Sequence, residues 1–114
     1  MGIDRKVGHK MKNALLKLSQ IYDLTPEAVK GLKEHYGYFK LLKEFNDELI
    51  SKINLSKEKP LLHYHDYQRQ DYGGYYFHVF LNKDDAENLF KLDNIFIMAQ
   101  RKFSHIQAYP KIEE

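Results

Sequence analysis

The chain has 114 residues, near the usual size of one domain, so folding buries roughly two thirds of the surface of the unfolded chain and supports one core rather than two. Hydrophobic residues make up 43% and charged residues 30%, which places the chain among globular rather than disordered proteins. The absence of cysteine removes disulfides and thiolate chemistry, and 18 Lys and Arg against 16 Asp and Glu give so weak an average field that nucleic acid binding would require local clustering of charge.

Val7, Met11, Ala14, Leu18 and Ile21 recur at three- and four-residue steps and predict a first helix over residues 4–22, with its lysines outside the apolar stripe. In this segment Arg5, Lys6, Lys10, Lys12 and Lys17 face only Asp4 as an opposing charge, which makes a basic patch. Thr25-Pro26-Glu27 then opens a second helix: the threonine hydroxyl accepts from orphan amides, and the missing N–H of proline costs nothing in a first turn. Gly37 is expected to close that helix in left-handed geometry. Tyr38, Leu41, Leu42, Phe45, Leu49 and Ile53 form the stripe of a third helix, with Lys40, Lys43, Glu44, Asp47 and Glu48 on its outer face. Residues 54–60 are polar, end in proline and read as a connection.

From residue 61 the period changes. Residues 61–81 are rich in Tyr, Phe, Val and His around Gly73-Gly74 and read as two strands joined by a tight turn. With those glycines as the turn, Tyr72 pairs with Tyr75 and His78 with Arg69. Leu62 and Tyr64 then share a face with Phe77, Val79 and Leu81, expected to meet the helices. The opposite face carries His63, His65, Tyr67, Arg69, Tyr76, His78 and Phe80, the leading candidate site. Asn82 is a capping residue, Asp84 and Asp85 suit a first turn, and Arg101 and Lys102 suit a last one. Leu89, Leu92, Phe96, Ala99, Phe103 and Ile106 continue the pattern as a fourth helix. The competing reading makes residues 94–98 a third strand. No internal repeat or linker divides the chain, so the expectation is one helix-rich α+β domain over residues 1–114, with three N-terminal helices, a β-hairpin and a C-terminal helix.

Two local patterns resemble known families. Leu18, Tyr22, Leu24, Val29 and Leu32 stand where a helix-turn-helix unit keeps its apolar residues. That resemblance implies a DNA-binding regulator, dimerised through the fourth helix, with Arg5, Lys6, Lys10, Lys30 and Lys33 toward nucleic acid. Ser19 and Asp23 depart from the small residue and the glycine favoured there. His63-Tyr64-His65 resembles the His-hydrophobic-His motif of rolling-circle nucleases, which implies two metal-holding histidines and an attacking tyrosine. Independently of it, His63, His65 and His78 are candidate ligands for zinc or another divalent metal, or partners of a nucleotide or phosphate.

No nucleophile elbow, phosphate-cradling glycine loop or His-Glu-x-x-His helix is present. The leading expectation is therefore a small non-enzymatic binding or regulatory protein without a cofactor, acting on a partner protein through the hairpin's aromatic and His face. Heavy use of Lys, Ile and Tyr points to an AT-rich genome and to an accessory or inhibitory protein of a phage or mobile element. No apolar run approaches the roughly 20 residues that cross a bilayer, so a cytoplasmic location without membrane contact is expected, and a homodimer is open.

Overall fold

In the computed structural model, which describes residues 2–54, 58–66, 74–91, 103 and 105–110, with the backbone alone at residues 2–8 and 90, helix α1 (Gly2–Ile21) follows the first apolar stripe. Thr25 then takes extended backbone, and its Oγ1 accepts from the Ala28 amide at 3.0 Å, which starts helix α2 (Pro26–Glu34) as expected. The far end of α2 differs from expectation. It closes at His35, whose amide donates to the Gly31 carbonyl, and Gly37 lies in ordinary right-handed geometry (φ −59, ψ −20) at the head of helix α3 (Tyr38–Lys52). A left-handed residue is unnecessary because the Tyr38 and Phe39 amides donate to the His35 and Tyr36 carbonyls and carry the chain round the corner.

Strands β1 (Asp23–Leu24), β2 (Leu61–Asp66), β3 (Tyr75–Leu81) and β4 (Ile106–Pro110) form one sheet in the order β1-β2-β3-β4. The central pair β2 and β3 is antiparallel, and both outer pairs are parallel. Parallel neighbours need crossover connections: α2 and α3 lie between β1 and β2, and α4 (Lys83–Phe90) between β3 and β4. The fold is α+β, with a mixed sheet.

The hairpin register is not the expected one. His78 pairs with His63 rather than Arg69, a slip of six positions, and Tyr75 pairs with Asp66. Gly74 has φ 102, and residues 67–73, with the expected partner Tyr72 and the first turn glycine, lie outside the described residues. Faces survive this error because side chains alternate with period two and the slip is even. Leu62, Tyr64, Phe77, Val79 and Leu81 are all buried in the core, joined by Ile106 and Ala108 of β4.

Against that face pack Leu18 and Tyr22, Ala28 and Leu32, Phe39, Leu42, Phe45 and Leu49, and from α4 Ala86 and Leu89. At Gly31 the α2 backbone comes so close to β2 that an added Cβ would stand 2.4 Å from the Tyr64 ring. Asn82 caps α4 as expected, its Oδ1 accepting from the Asp85 amide at 2.8 Å. That helix ends at Phe90, so the expected continuous fourth helix to Ile106 is corrected: Ile106 begins β4, where Ile106 and Ala108 are buried and Gln107 and Tyr109 are not. Residues 94–98, the competing strand, lie outside the described residues, as do Arg101 and Lys102. No helix of the described residues is long and apolar enough to cross a membrane.

Candidate binding face of the sheet

Alternation along β2 and β3 sends His63, His65, Tyr76, His78 and Phe80 to the face opposite the core, and β4 adds Gln107 and Tyr109 to it. The described helices all contribute to the other face. Tyr67 and Arg69, expected on this surface, lie outside the described residues.

The corrected register draws the three imidazoles together. His63 and His65 rings stand 5.7 Å apart between centroids, and His65 and His78 5.9 Å. The His78 ring has Tyr109 at 5.0 Å, Phe80 at 6.0 Å and Tyr76 at 6.5 Å. These rings leave His78 only 9% exposed. Burial above all, and then the nearby His65 and His63 charges, lower its pKa to about 4. At neutral pH His78 is therefore an uncharged aromatic group.

At the edge of this face the Thr25 hydroxyl stands 3.0 Å from His63 Nδ1. The same oxygen also accepts from the Ala28 amide, so one hydroxyl joins the α2 cap to the imidazole. Glu27 Oε2 lies 3.9 Å from the same Nδ1. The helix cap of α2 thus also orients a ring of the sheet face.

A second aromatic group closes one end of the sheet. His35 stacks on Tyr75 at 3.6 Å, and Tyr75 stacks in turn near His105 at 4.9 Å. His105 Nδ1 is 2.6 Å from the Tyr75 carbonyl oxygen, and Tyr64 Oη is 3.3 Å from His35 Nε2. Burial, with the Asp66 and Glu34 charges, pushes the Tyr64 phenol up to about 12. The flank of α2, the strands β2 and β3 and the flank of β4 converge here, which makes a packing joint between α2 and the strand ends.

Sequence reasoning missed Gln107, Tyr109, Thr25 and Glu27. The alternation Ile-Gln-Ala-Tyr was present to signal a strand, but the helical spacing running into Ile106 obscured it. Although His63, His65 and His78 converge, among the described residues no group of three or more His, Asp or Glu is arranged to hold a metal ion. Neither the zinc reading nor the nuclease resemblance gains a metal centre from this geometry.

The stretch that resembles a helix-turn-helix contains β1 where that unit has a bare turn, and α2 lies on the sheet. Its outward residues are exposed Lys30 and Lys33 beside exposed Glu27 and Glu34, two charges of each sign. Lys10 is exposed on α1, and the side chains of Arg5 and Lys6 lie outside the described residues. Compared with known proteins, the chain matches no family model, no curated protein and no solved structure.

Proposed function

We propose that this is a small binding protein of regulatory or inhibitory type, which engages a partner protein with the outer face of its sheet. The observation that carries the reading is the composition of that face: Tyr76, Phe80 and Tyr109 are half-buried around His78, with His63 and His65 beside them. Such side chains offer large rigid area with a polar tip, the combination that concentrates binding energy at interfaces. A surface needing only solubility has no use for it. With His78 neutral, the centre of the face is apolar at neutral pH, and the partner surface that suits it is a flat patch of apolar and hydrogen-bonding groups.

The test is affinity capture from cells of the source organism, followed by reconstitution with each captured protein. Phe80→Ala with Tyr109→Ala should weaken the reconstituted complex by about 30-fold or more, the scale of losing about 2 kcal/mol at an interface centre. Ile50→Ala, at an exposed apolar residue of α3, should leave affinity unchanged. A partner lost equally with both variants, or with neither, would refute the assignment of this face.

A further inference from the structure

Away from the sheet's outer face, α1 and the α2–α3 corner enclose a cleft of about 590 Å³ lined by Lys10, Asn13, Ala14 and Lys17 on one side and Tyr36, Gly37, Phe39, Lys40 and Lys43 on the other. Residues 10, 13, 14 and 17 are at helical spacing and form one stripe of α1. Four of the lining residues are lysines and none is acidic. Among the described residues none of the four ammonium groups has a hydrogen bond or an ion pair. Like charges facing one another across a cavity repel, and folding gains nothing from assembling them without a counter-charge.

The placement of α3 sharpens that imbalance. Its first turn contains no acidic residue, and Gly37 supplies no side-chain cap; Lys40 stands there instead. The N-terminal end of a helix is its positive end, so a lysine in that position is disfavoured unless an anion lies nearby. Tyr36 adds a different element. It is 42% exposed, with its ring held edge-on by Phe39 at 5.0 Å between centroids, and Phe39 is itself buried. The cleft thus presents a fixed, accessible ring beside a concentration of unpaired positive charge.

We propose that this cleft binds a nucleoside di- or triphosphate, with the phosphates among Lys10, Lys17, Lys40 and Lys43 and the base on Tyr36. Its volume falls in the range of small-ligand sites, roughly 300–1,000 Å³. The lysines account for phosphate, and the ring accounts for a planar group attached to it. The sheet face and a protein partner play no part in this site.

The test is calorimetric titration of the full chain at low salt with ADP, ATP, inorganic pyrophosphate and a twelve-residue oligothymidylate. ADP and ATP should bind, and their affinity should fall as salt rises. Lys40→Gln with Lys43→Gln should weaken both nucleotides at least about tenfold, the scale of losing one charge-assisted contact. Tyr36→Ala should weaken ADP while leaving pyrophosphate within about twofold, because only the base uses the ring. Gly37→Asp is the discriminating variant. An added Cβ at Gly37 meets nothing within 4 Å, and a carboxylate at the head of α3 suits the helix dipole, so the melting temperature should hold while nucleotide binding disappears. Absence of nucleotide binding by the wild-type chain would overturn the proposal. So would nucleotide affinity indifferent to the lysine pair, or an oligonucleotide that binds while ADP fails to compete.

Discussion

Asn46 shows how one polar atom can work against the core around it. The residue is 8% exposed on α3, and among the described residues its Oδ1 has no hydrogen-bond partner. A buried acceptor left unmade loses its water without compensation, at a cost of about 1–3 kcal/mol. Tyr22 is the instructive contrast: deeper still, it donates its hydroxyl to the Leu42 carbonyl at 3.4 Å, and burial, aided by the Asp47 charge, raises its pKa and keeps the phenol neutral. Asn46→Leu keeps the same branched framework of side-chain heavy atoms and removes the orphan acceptor. It should stabilise the fold by about 1 kcal/mol, or about 4 °C in Tm for a domain of this size. Thermal unfolding followed by circular dichroism checks this, and a lowered Tm would mean that the amide contributes something that its missing partner conceals.

At the scale of elements, Gly31 is where ordinary propensity should give the wrong sign. Replacing a mid-helix glycine by alanine normally stabilises by about 1 kcal/mol. Here the new methyl would meet the Tyr64 ring at 2.4 Å, with ring atoms rather than a flexible chain end in the way. The ring cannot retreat easily, since Tyr64 is itself buried and packs on Phe77 at 5.1 Å. Gly31→Ala should therefore destabilise, by about 1–3 kcal/mol as overpacking does, and Gly31→Ala with Tyr64→Leu should recover part of the loss. Urea unfolding of the two variants separates this from a simple propensity effect. Gly31 was not legible in the sequence as such a site, because a close approach between α2 and β2 is a long-range contact that local spacing does not encode. The same division runs through the fold. Helices α1, α2 and α3 were readable because apolar spacing and the Thr25 cap are local. The faces of β2 and β3 were readable because alternation is local too, and an even slip of register preserves it. Register itself, with Tyr75 opposite Asp66, was not readable, because the paired glycines in the sequence suggested a turn next to Tyr75. Strand β1 has two residues, too few to show any period, and β4 was hidden by apolar residues whose spacing also suits a helix.

At the scale of the whole molecule, every described helix stacks on one side of the sheet, and among the described residues the other side is packed by its own rings. His78 sits at the centre of that side, on the middle pair of strands and adjacent to β4. Among the described residues its surroundings are His63 across the ladder, His65 and Tyr76 nearby, and Phe80, Gln107 and Tyr109 toward β4; Glu27 stands 3.9 Å from His63. Protonation of His78 therefore has to be made against burial and two other imidazoles. In the unfolded chain the same imidazole takes a proton near pH 6.5, whereas in the fold it resists until about 4. Between those values the unfolded state holds more protons, so the stability contributed by neutral His78 is complete above about pH 6.5 and drains away as the pH falls toward 4. Each pH unit separating the two titrations is worth about 1.4 kcal/mol, and with partial screening by solvent the whole loss is about 2–3 kcal/mol. Carboxylates add their own acid sensitivity mainly below about pH 5, which leaves pH 6.5 to 5 as the window in which histidine dominates. Urea midpoints measured at pH 7.5, 6.5, 5.5 and 5 should fall steadily for the wild-type chain. They should stay nearly level over that window for His78→Phe, which keeps a ring of similar breadth in the cluster and cannot titrate. Parallel curves for the two proteins would place the acid sensitivity elsewhere and remove His78 as the keystone of the outer face.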